Sequence, residues 1–295
     1  MRYAAHEILV APARASAGIG RLCAGIALTV ALFVMLGVLW SGLLPLLFGA
    51  EGWARIRPGI AAATTPVGVL ITLFNFALLV AALALALRVV HRRGLLSLVG
   101  PLPLAAGQFA RAGLALVVLY GVVALVPMPE ALRPVRGLGL GTWLSVLPLA
   151  LVGLFCQVFA EEVAFRGYLQ SQLAARFASP LVWMGLPALG FGLLHFDSAT
   201  YGASGWLVML WAAGFGLAAA DLTARFGTLG PATALHFVNN FSAILVAAPK
   251  GQFDGLALYV YPFALGDVGA VTAILPVDIV MLLCAWLAIR LALRG

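Results

Sequence analysis

Residues 140–160 read LGTWLSVLPLALVGLFCQVFA, an uncharged apolar run that ends at the paired acids Glu161 and Glu162. A run of about 20 such residues can cross the roughly 30 Å hydrocarbon core of a bilayer as a helix. The whole chain has the same character, because 64% of its 295 residues are hydrophobic and only 9% are charged. Soluble domains contain about 25% charged residues. The composition therefore predicts an all-α, polytopic transmembrane helical bundle.

Seven further apolar runs are predicted to cross the membrane, which gives about eight spans. The segments between them are short and contain Gly, Pro and Arg, as loops at a membrane surface do. The first run is far longer than the apolar part of a signal peptide, so we expect it to be retained. The predicted spans are Leu22–Phe48, Val67–Val90, Ala106–Val126, Leu140–Ala160, Leu181–Phe196, Trp206–Ala220, Leu229–Ala248 and Val271–Leu293.

The formal net charge of +7 comes from basic residues that are scattered between the apolar runs. That distribution argues against a nucleic-acid partner, which needs a basic patch or arm. With the N-terminus placed in the cytoplasm, 12 basic residues fall inside and 5 outside, as the positive-inside rule requires. We expect both termini in the cytoplasm and the chain to be a multi-pass protein of a bacterial-type inner (plasma) membrane, surrounded by the lipid bilayer.

Acidic side chains at the end of the fourth run require an explanation, because a charge in hydrocarbon costs roughly 2.5–3.5 kcal/mol on insertion scales. Glu162 and Arg166 are four residues apart, share a helical face and are expected to pair. Glu161 points about 100° away on the helix, so that pairing does not match it. A structural ion pair at a membrane edge explains this segment as well as a functional site does.

Two histidines also lie in apolar runs. His195 lies near the end of the fifth run, where a single histidine is most simply explained by a hydrogen bond to a neighbouring helix. His236 and Asn240 share one face of the seventh helix, and alone they are explained as polar contacts between helices. His6 and His91 fall in polar segments, and we expect both to be solvated.

These elements are predicted to meet at one depth. If the chain turns back at Ser179–Pro180, Glu161 and His195 are each 17 residues from Ala178 and lie opposite each other. At 1.5 Å per residue they lie about 10–15 Å inside the boundary, and His236 lies about 10 Å inside it. An acid, two histidines and an amide are thus predicted to share a cavity that opens to the cytoplasm.

The pattern resembles the CPBP family, also called the CAAX-protease or Abi family of intramembrane endopeptidases. Three motifs in order carry the resemblance over about residues 155–245, with no departure at the motif positions: Glu161-Glu162-x-x-x-Arg166, Phe191-x-x-x-His195 and His236-x-x-x-Asn240. The division that follows is into N-terminal transmembrane helices at 1–140, a CAAX-protease-like catalytic core at 141–248, and a C-terminal loop and last transmembrane helix at 249–295.

The resemblance implies an intramembrane endopeptidase that hydrolyses a peptide bond of a membrane-associated protein or peptide without a cofactor. It implies that Glu161 is the general base and that His195 helps to hold and polarise the water. His236 and Asn240 are then the oxyanion site. Glu162 and Arg166 are expected to support the site by locking the helix face that directs Glu161 inward.

Other chemistries remain open at the level of sequence. Glu161, His195 and His236 also form a ligand set that zinc accepts in metalloproteases. The three ligands come from separate helices, however, and the chain has no HExxH pair. Polar residues within a membrane equally mark transporters, and a non-catalytic membrane scaffold is a further alternative.

Overall fold

Within the residues that the computed structural model describes, 3–294 without the side chain of Ala131, eight helices contain ten or more residues. The all-α, polytopic prediction is confirmed in outline. The eight helices are α1 Ile19–Ile56, α2 Pro66–Ala86, α3 Leu102–Val123, α4 Leu140–Glu162, α5 Gly185–Leu194, α6 Gly205–Phe226, α7 Gly230–Asn240 and α8 Val268–Ala292.

Short helical segments extend or connect these eight. Three are π-helices, Leu87–His91 after α2, Val163–Leu169 after α4 and Phe241–Val246 after α7. Short α-helices cover Glu7–Val10, Pro58–Ala61, Gln170–Ala174, Pro180–Trp183 and Ser198–Tyr201. Turns of 3₁₀-helix cover Ala4–His6, Ala11–Ser16, Leu95–Leu98, Glu130–Leu132 and Gly202–Ser204.

Local sequence signals explain several helix boundaries. The Thr65 hydroxyl caps α2 by accepting the Gly68 N–H, and Pro66 occupies the first turn, where its missing N–H costs nothing. Helix α6 ends at Gly227, whose φ of 73° is a left-handed conformation that favours glycine. Helix α1 contains Pro45 and is kinked at Gly49, where φ is 68°. The predicted first span ends one residue before that kink.

A small sheet, which the sequence did not predict, joins three loops. Its strands are β1 Val135–Arg136, β2 Ala247–Pro249 and β3 Tyr259–Tyr261, in the order β1-β3-β2. Strand β3 is antiparallel to β1 and parallel to β2, and Val260 lies opposite both Val135 and Ala248. The sheet therefore fixes the segment that directly follows α7 and its π-helix.

Six helical segments within residues 3–294 are long and apolar enough to cross a membrane. Two predicted spans are shorter helices: the chain expected at Leu181–Phe196 forms Pro180–Leu194, and α7 with its π-helix ends before β2. The count of eight spans therefore stays a prediction. The six candidates are Ile19–Ile56, Pro66–His91, Leu102–Val123, Leu140–Ala174, Ser198–Phe226 and Val268–Ala292.

Three hydrogen bonds, two from α3 and one from Tyr3, place both ends of the described chain at one end of the bundle. Gln108 Nε2 donates to the Phe226 carbonyl at 3.1 Å, and Arg111 Nη2 donates to the Ala292 carbonyl at 2.6 Å. The Tyr3 hydroxyl donates to Asp221 near the same end of α6 at 2.8 Å. The side of the membrane on which this end lies stays a prediction.

The N-terminal segment, residues 3–16, folds over this end of the bundle and buries both histidines that were expected to be solvated. That expectation was wrong: His6 and His91 are only 4% and 5% exposed. His6 packs against the Trp183 ring at 4.9 Å between centroids. His91 lies 2.9 Å from Ser16 Oγ and 2.8 Å from the Tyr168 hydroxyl. This docking could not be predicted from the short polar segments around the two histidines, because it depends on tertiary contacts.

We expect the N-terminal segment to detach as the pH falls from about 6.5 to about 4. Burial lowers the pKa of His6 from 6.5 to about 4, and Glu7 opposes that shift only in part. The undocked chain therefore takes up a proton near pH 6.5 and the docked chain only near pH 4. The stabilisation is complete above pH 6.5, is lost through this window, and is on the order of 3 kcal/mol.

Hydrogen exchange at the amides of Leu9 and Val10, corrected for the intrinsic rate, measures this detachment in reconstituted protein. His6→Phe keeps a ring against Trp183 but cannot be protonated, so its exchange should change less between pH 6.5 and 5 than that of the wild type, in which His6 belongs to the segment and His91 lies against it. The Glu7 carboxyl is ionised between pH 6.5 and 5, because the hydrogen bond from Arg14 lowers its pKa. An equal pH response in both proteins contradicts the assignment to His6.

Candidate active site

The end of α4 places an ion pair inside the membrane-spanning segment Leu140–Ala174. Glu162 is fully buried and accepts a hydrogen bond from Arg166 Nη1 at 3.0 Å, which confirms the predicted pair. The guanidinium carbon of Arg166 lies 4.5 Å from the centroid of the Phe191 ring. Arg166 is therefore held both by a carboxylate and by a cation–π contact.

His236 lies between the two acids, a contact that the sequence did not predict. Its Nδ1 is 2.8 Å from Glu162 Oε1, and its Nε2 is 3.5 Å from Glu161 Oε2. His236 is only 4% exposed. Helix α7 thus presents one imidazole to both carboxylates at the end of α4.

One helical turn away, a second polar pair joins the same two helices. Asn240 Nδ2 donates to Gln157 Oε1 at 3.1 Å. Gln157 precedes Glu161 by four residues, just as His236 precedes Asn240, so the two pairs run along antiparallel helices. Gln157 was missed by the sequence analysis. Its position could have indicated a role, because it is an amide side chain within an apolar run and lies on the same helical face as Glu161.

His195 joins this cluster through Phe191. It is half-buried at the end of α5, and its Nδ1 donates to the Phe191 carbonyl oxygen at 2.8 Å, which leaves Nε2 as an acceptor. The Phe191 ring lies 4.5 Å from the His195 ring and 6.0 Å from the His236 ring, between centroids. Within residues 3–294, no hydrogen bond joins His195 directly to Glu161.

Several buried polar atoms of the cluster have no hydrogen-bond partner among residues 3–294: Glu161 Oε2, Glu162 Oε2 and Arg166 Nη2. Buried polar groups are rarely left in this state, and such groups occur at catalytic sites. A neutral imidazole has one donor and one acceptor. If His236 Nδ1 donates to Glu162, its Nε2 lone pair faces Glu161, and a proton on Glu161 can be shared with it.

Both helices that carry the cluster change their geometry at its edge. The π-helix Val163–Leu169 follows Glu161 and Glu162 and contains Arg166, and the π-helix Phe241–Val246 follows Asn240. Insertions of this type widen a helix locally and are frequent at functional sites. Two such insertions flank the same set of side chains.

The residues that the sequence allowed as zinc ligands are not gathered into a three-ligand site among the described residues, and the use or absence of zinc stays a prediction. Within residues 3–294, no group of three or more His, Cys, Asp or Glu side chains is placed to hold a metal ion. Both ring nitrogens of His236 face carboxylates, and within residues 3–294 no hydrogen bond joins His195 to Glu161. Glu161, His195 and His236 are therefore not arranged as the three ligands that the sequence allowed.

Other acids of the chain take separate roles. Asp221 binds Arg225 at 2.7 Å and accepts from the Trp286 indole at 3.0 Å, as an anchor at the covered end of the bundle. Asp197 caps the short helix after His195, because its Oδ1 accepts the Ala199 N–H at 2.9 Å.

The fold and the cluster define a multi-pass membrane protein with acids, a cation and histidines inside its helical bundle. Residues 143–242 match the family model described as type II CAAX prenyl endopeptidase Rce1-like. No curated protein and no solved structure matches the chain. The match begins in α4, ends just after Asn240 and contains all three motifs. The resemblance to the CAAX-protease family is thereby confirmed for this segment of the chain.

Proposed function

We propose that this protein is an intramembrane endopeptidase that hydrolyses a peptide bond of a membrane-associated protein or peptide, with a water molecule activated by Glu161. The observation that supports it most is the state of Glu161 Oε2. This atom is buried, has no hydrogen-bond partner among residues 3–294 and lies 3.5 Å from His236 Nε2. Glu162 Oε2 is likewise buried without a partner, but Glu162 already binds Arg166 and His236 through Oε1, whereas no hydrogen bond to Glu161 is made among these residues.

The proposed reaction begins with proton transfer from water to Glu161 Oε2. The water oxygen attacks the carbonyl carbon of the scissile bond, and the carbonyl oxygen becomes an oxyanion. The proton then passes from Glu161 to the leaving amine as the C–N bond breaks, so Glu161 acts first as base and then as acid. His195 supports this step, since its Nε2 lone pair can accept a hydrogen bond from the attacking water.

The family resemblance implied that His236 and Asn240 form the oxyanion site together. We propose that only Asn240 has that role, because both ring nitrogens of His236 face carboxylates. The 3.5 Å contact between His236 Nε2 and Glu161 lets the imidazole share the proton that Glu161 takes from water. Asn240 uses one Nδ2 hydrogen for Gln157, and its second Nδ2 hydrogen is a neutral donor for the oxyanion. Glu162 and Arg166 hold His236 in the orientation that this proton sharing requires.

Cleavage of a defined peptide tests the function. The full chain, reconstituted in liposomes, receives a fluorogenic peptide that ends in a farnesylated cysteine followed by three residues. A matched peptide without the farnesyl group and a membrane-peptide library are tested beside it. We expect cleavage after the farnesylated cysteine, faster than in the matched peptide. A protein that cleaves none of the three contradicts the proposal and favours a scaffold or a transporter.

Chelation separates the two proteolytic mechanisms. Because the described residues do not form a three-ligand site, we expect cleavage to persist after prolonged treatment with a strong chelator. Metal analysis should find well below one zinc ion per chain in the active protein. Loss of cleavage on chelation, restored by zinc with one ion bound per chain, contradicts the glutamate mechanism but leaves the proteolytic function intact.

A further inference from the structure

Four polar side chains form a hydrogen-bond chain from α3 through α7 to α4. The Tyr120 hydroxyl donates to Asn239 Oδ1 at 3.3 Å, and Asn239 Nδ2 donates to Asn240 Oδ1 at 3.2 Å. Asn240 Nδ2 then donates to Gln157 Oε1 at 3.1 Å. Every donor points the same way, from Tyr120 toward Gln157. We call these four residues the Tyr120 chain.

The Tyr120 chain holds the Asn240 carboxamide from both sides. Its Oδ1 accepts from Asn239 and one Nδ2 hydrogen is donated to Gln157, so the second Nδ2 hydrogen has one fixed direction. A carboxamide rotated by half a turn presents an acceptor at the place where a donor is needed. A donor that is oriented before the reaction stabilises a developing negative charge without a cost of reorganisation.

The Tyr120 chain ends close to the acid that we assign as the base. Gln157 and Glu161 are four residues apart on α4, and Asn240 and His236 are four apart on α7. The Asn240–Gln157 pair and the His236–Glu161 contact are therefore separated by about one helical pitch, roughly 5.4 Å. We expect a carbonyl that is attacked by water on Glu161 to direct its oxygen toward the free Asn240 N–H.

We propose that Tyr120, Asn239 and Gln157 are positioning residues that act through Asn240, by fixing its second N–H toward the oxyanion. This inference rests on the proposed function, because it needs Asn240 as the oxyanion donor. None of the three is part of the motifs that carry the family resemblance. A hydrogen-bond chain that only joins helices affects stability but leaves the kcat of the folded enzyme unchanged, so kinetics distinguish the two roles.

A double-mutant cycle in the reconstituted full chain tests the inference. Tyr120→Phe removes only the hydroxyl, and we expect kcat to fall about 10- to 100-fold with KM unchanged, as misorientation of a catalytic group does. Asn240→Ala alone should lower kcat about 10²–10³-fold. The double variant should be no slower than Asn240→Ala alone, because Tyr120 has no target once the amide is absent.

Two comparisons make the outcome specific. Tyr168→Phe removes another buried tyrosine hydroxyl, which binds His91 outside the Tyr120 chain, and it should lower thermal stability without lowering kcat. Gln157→Met keeps the length of the side chain but removes the acceptor for Asn240, and it should lower kcat with KM unchanged.

The inference is overturned if the losses in the double variant multiply, or if Tyr120→Phe has an unchanged kcat. The proposed function still stands in that case, provided that the wild type cleaves and Glu161→Gln is inactive. A wild-type chain that cleaves neither the farnesylated peptide nor the membrane-peptide library overturns both.

Discussion

Glu161→Gln is expected to lower kcat for peptide cleavage by about 10²–10⁴-fold, the range that a general base contributes. The amide keeps the size of the carboxyl group but cannot accept the proton of the attacking water. Its folded yield should match that of the wild type, because Glu161 is not the partner of Arg166. The measurement is cleavage of the farnesylated peptide by equal amounts of folded, reconstituted protein.

A matched substitution separates the effect of this site from a general effect of charge. Glu130→Gln removes an exposed carboxylate in a loop segment outside the candidate spans, and it should leave kcat unchanged. Glu161→Asp keeps the charge but shortens the side chain by one methylene. This variant should retain some activity, and that activity should still depend on pH. A Glu161→Gln variant with wild-type kcat excludes Glu161 as the base.

Interactions set by spacing within one helix could be predicted from the sequence. The Glu162–Arg166 pair follows from residues four apart on a helix, and the structure contains it at 3.0 Å. Most spans follow from apolar length, which is a local property. The family resemblance likewise depends only on residues in order, and the match over 143–242 confirms it.

Interactions between helices could not be predicted in the same way. The spacing of His236 and Asn240 predicts that they share a helical face. It does not predict that His236 lies between both acids or that Asn240 binds Gln157. Those contacts depend on the rotation and depth of α7 against α4, which are set by packing. The burial of His6 also depends on contacts between segments. The segment that contains it is short and mixed in polarity, so it does not by itself predict docking on the bundle.

The second large effect is expected on stability, from loss of the buried Glu162–Arg166 pair beside the candidate base. Arg166→Met leaves the Glu162 carboxylate buried with His236 as its single partner, and loss of one member of a buried pair costs about 3–5 kcal/mol. We expect a large loss of folded protein and of thermal stability. Glu162→Gln leaves the Arg166 guanidinium without its carboxylate and should also lower the folded yield, together with activity.

The double variant Glu162→Gln with Arg166→Met distinguishes a charge effect from a packing effect. Removal of both charges leaves no unpaired ion in the interior, so much of the folded yield should return. Cleavage should not return with it, because His236 Nδ1 then loses the carboxylate that orients the ring at 2.8 Å. The exposed Glu7–Arg14 pair is the control, and Arg14→Met should leave the folded yield unchanged because exposed ion pairs contribute little to stability. A double variant that is as unstable as Arg166→Met shows that side-chain packing, and not charge pairing, holds this part of the site together.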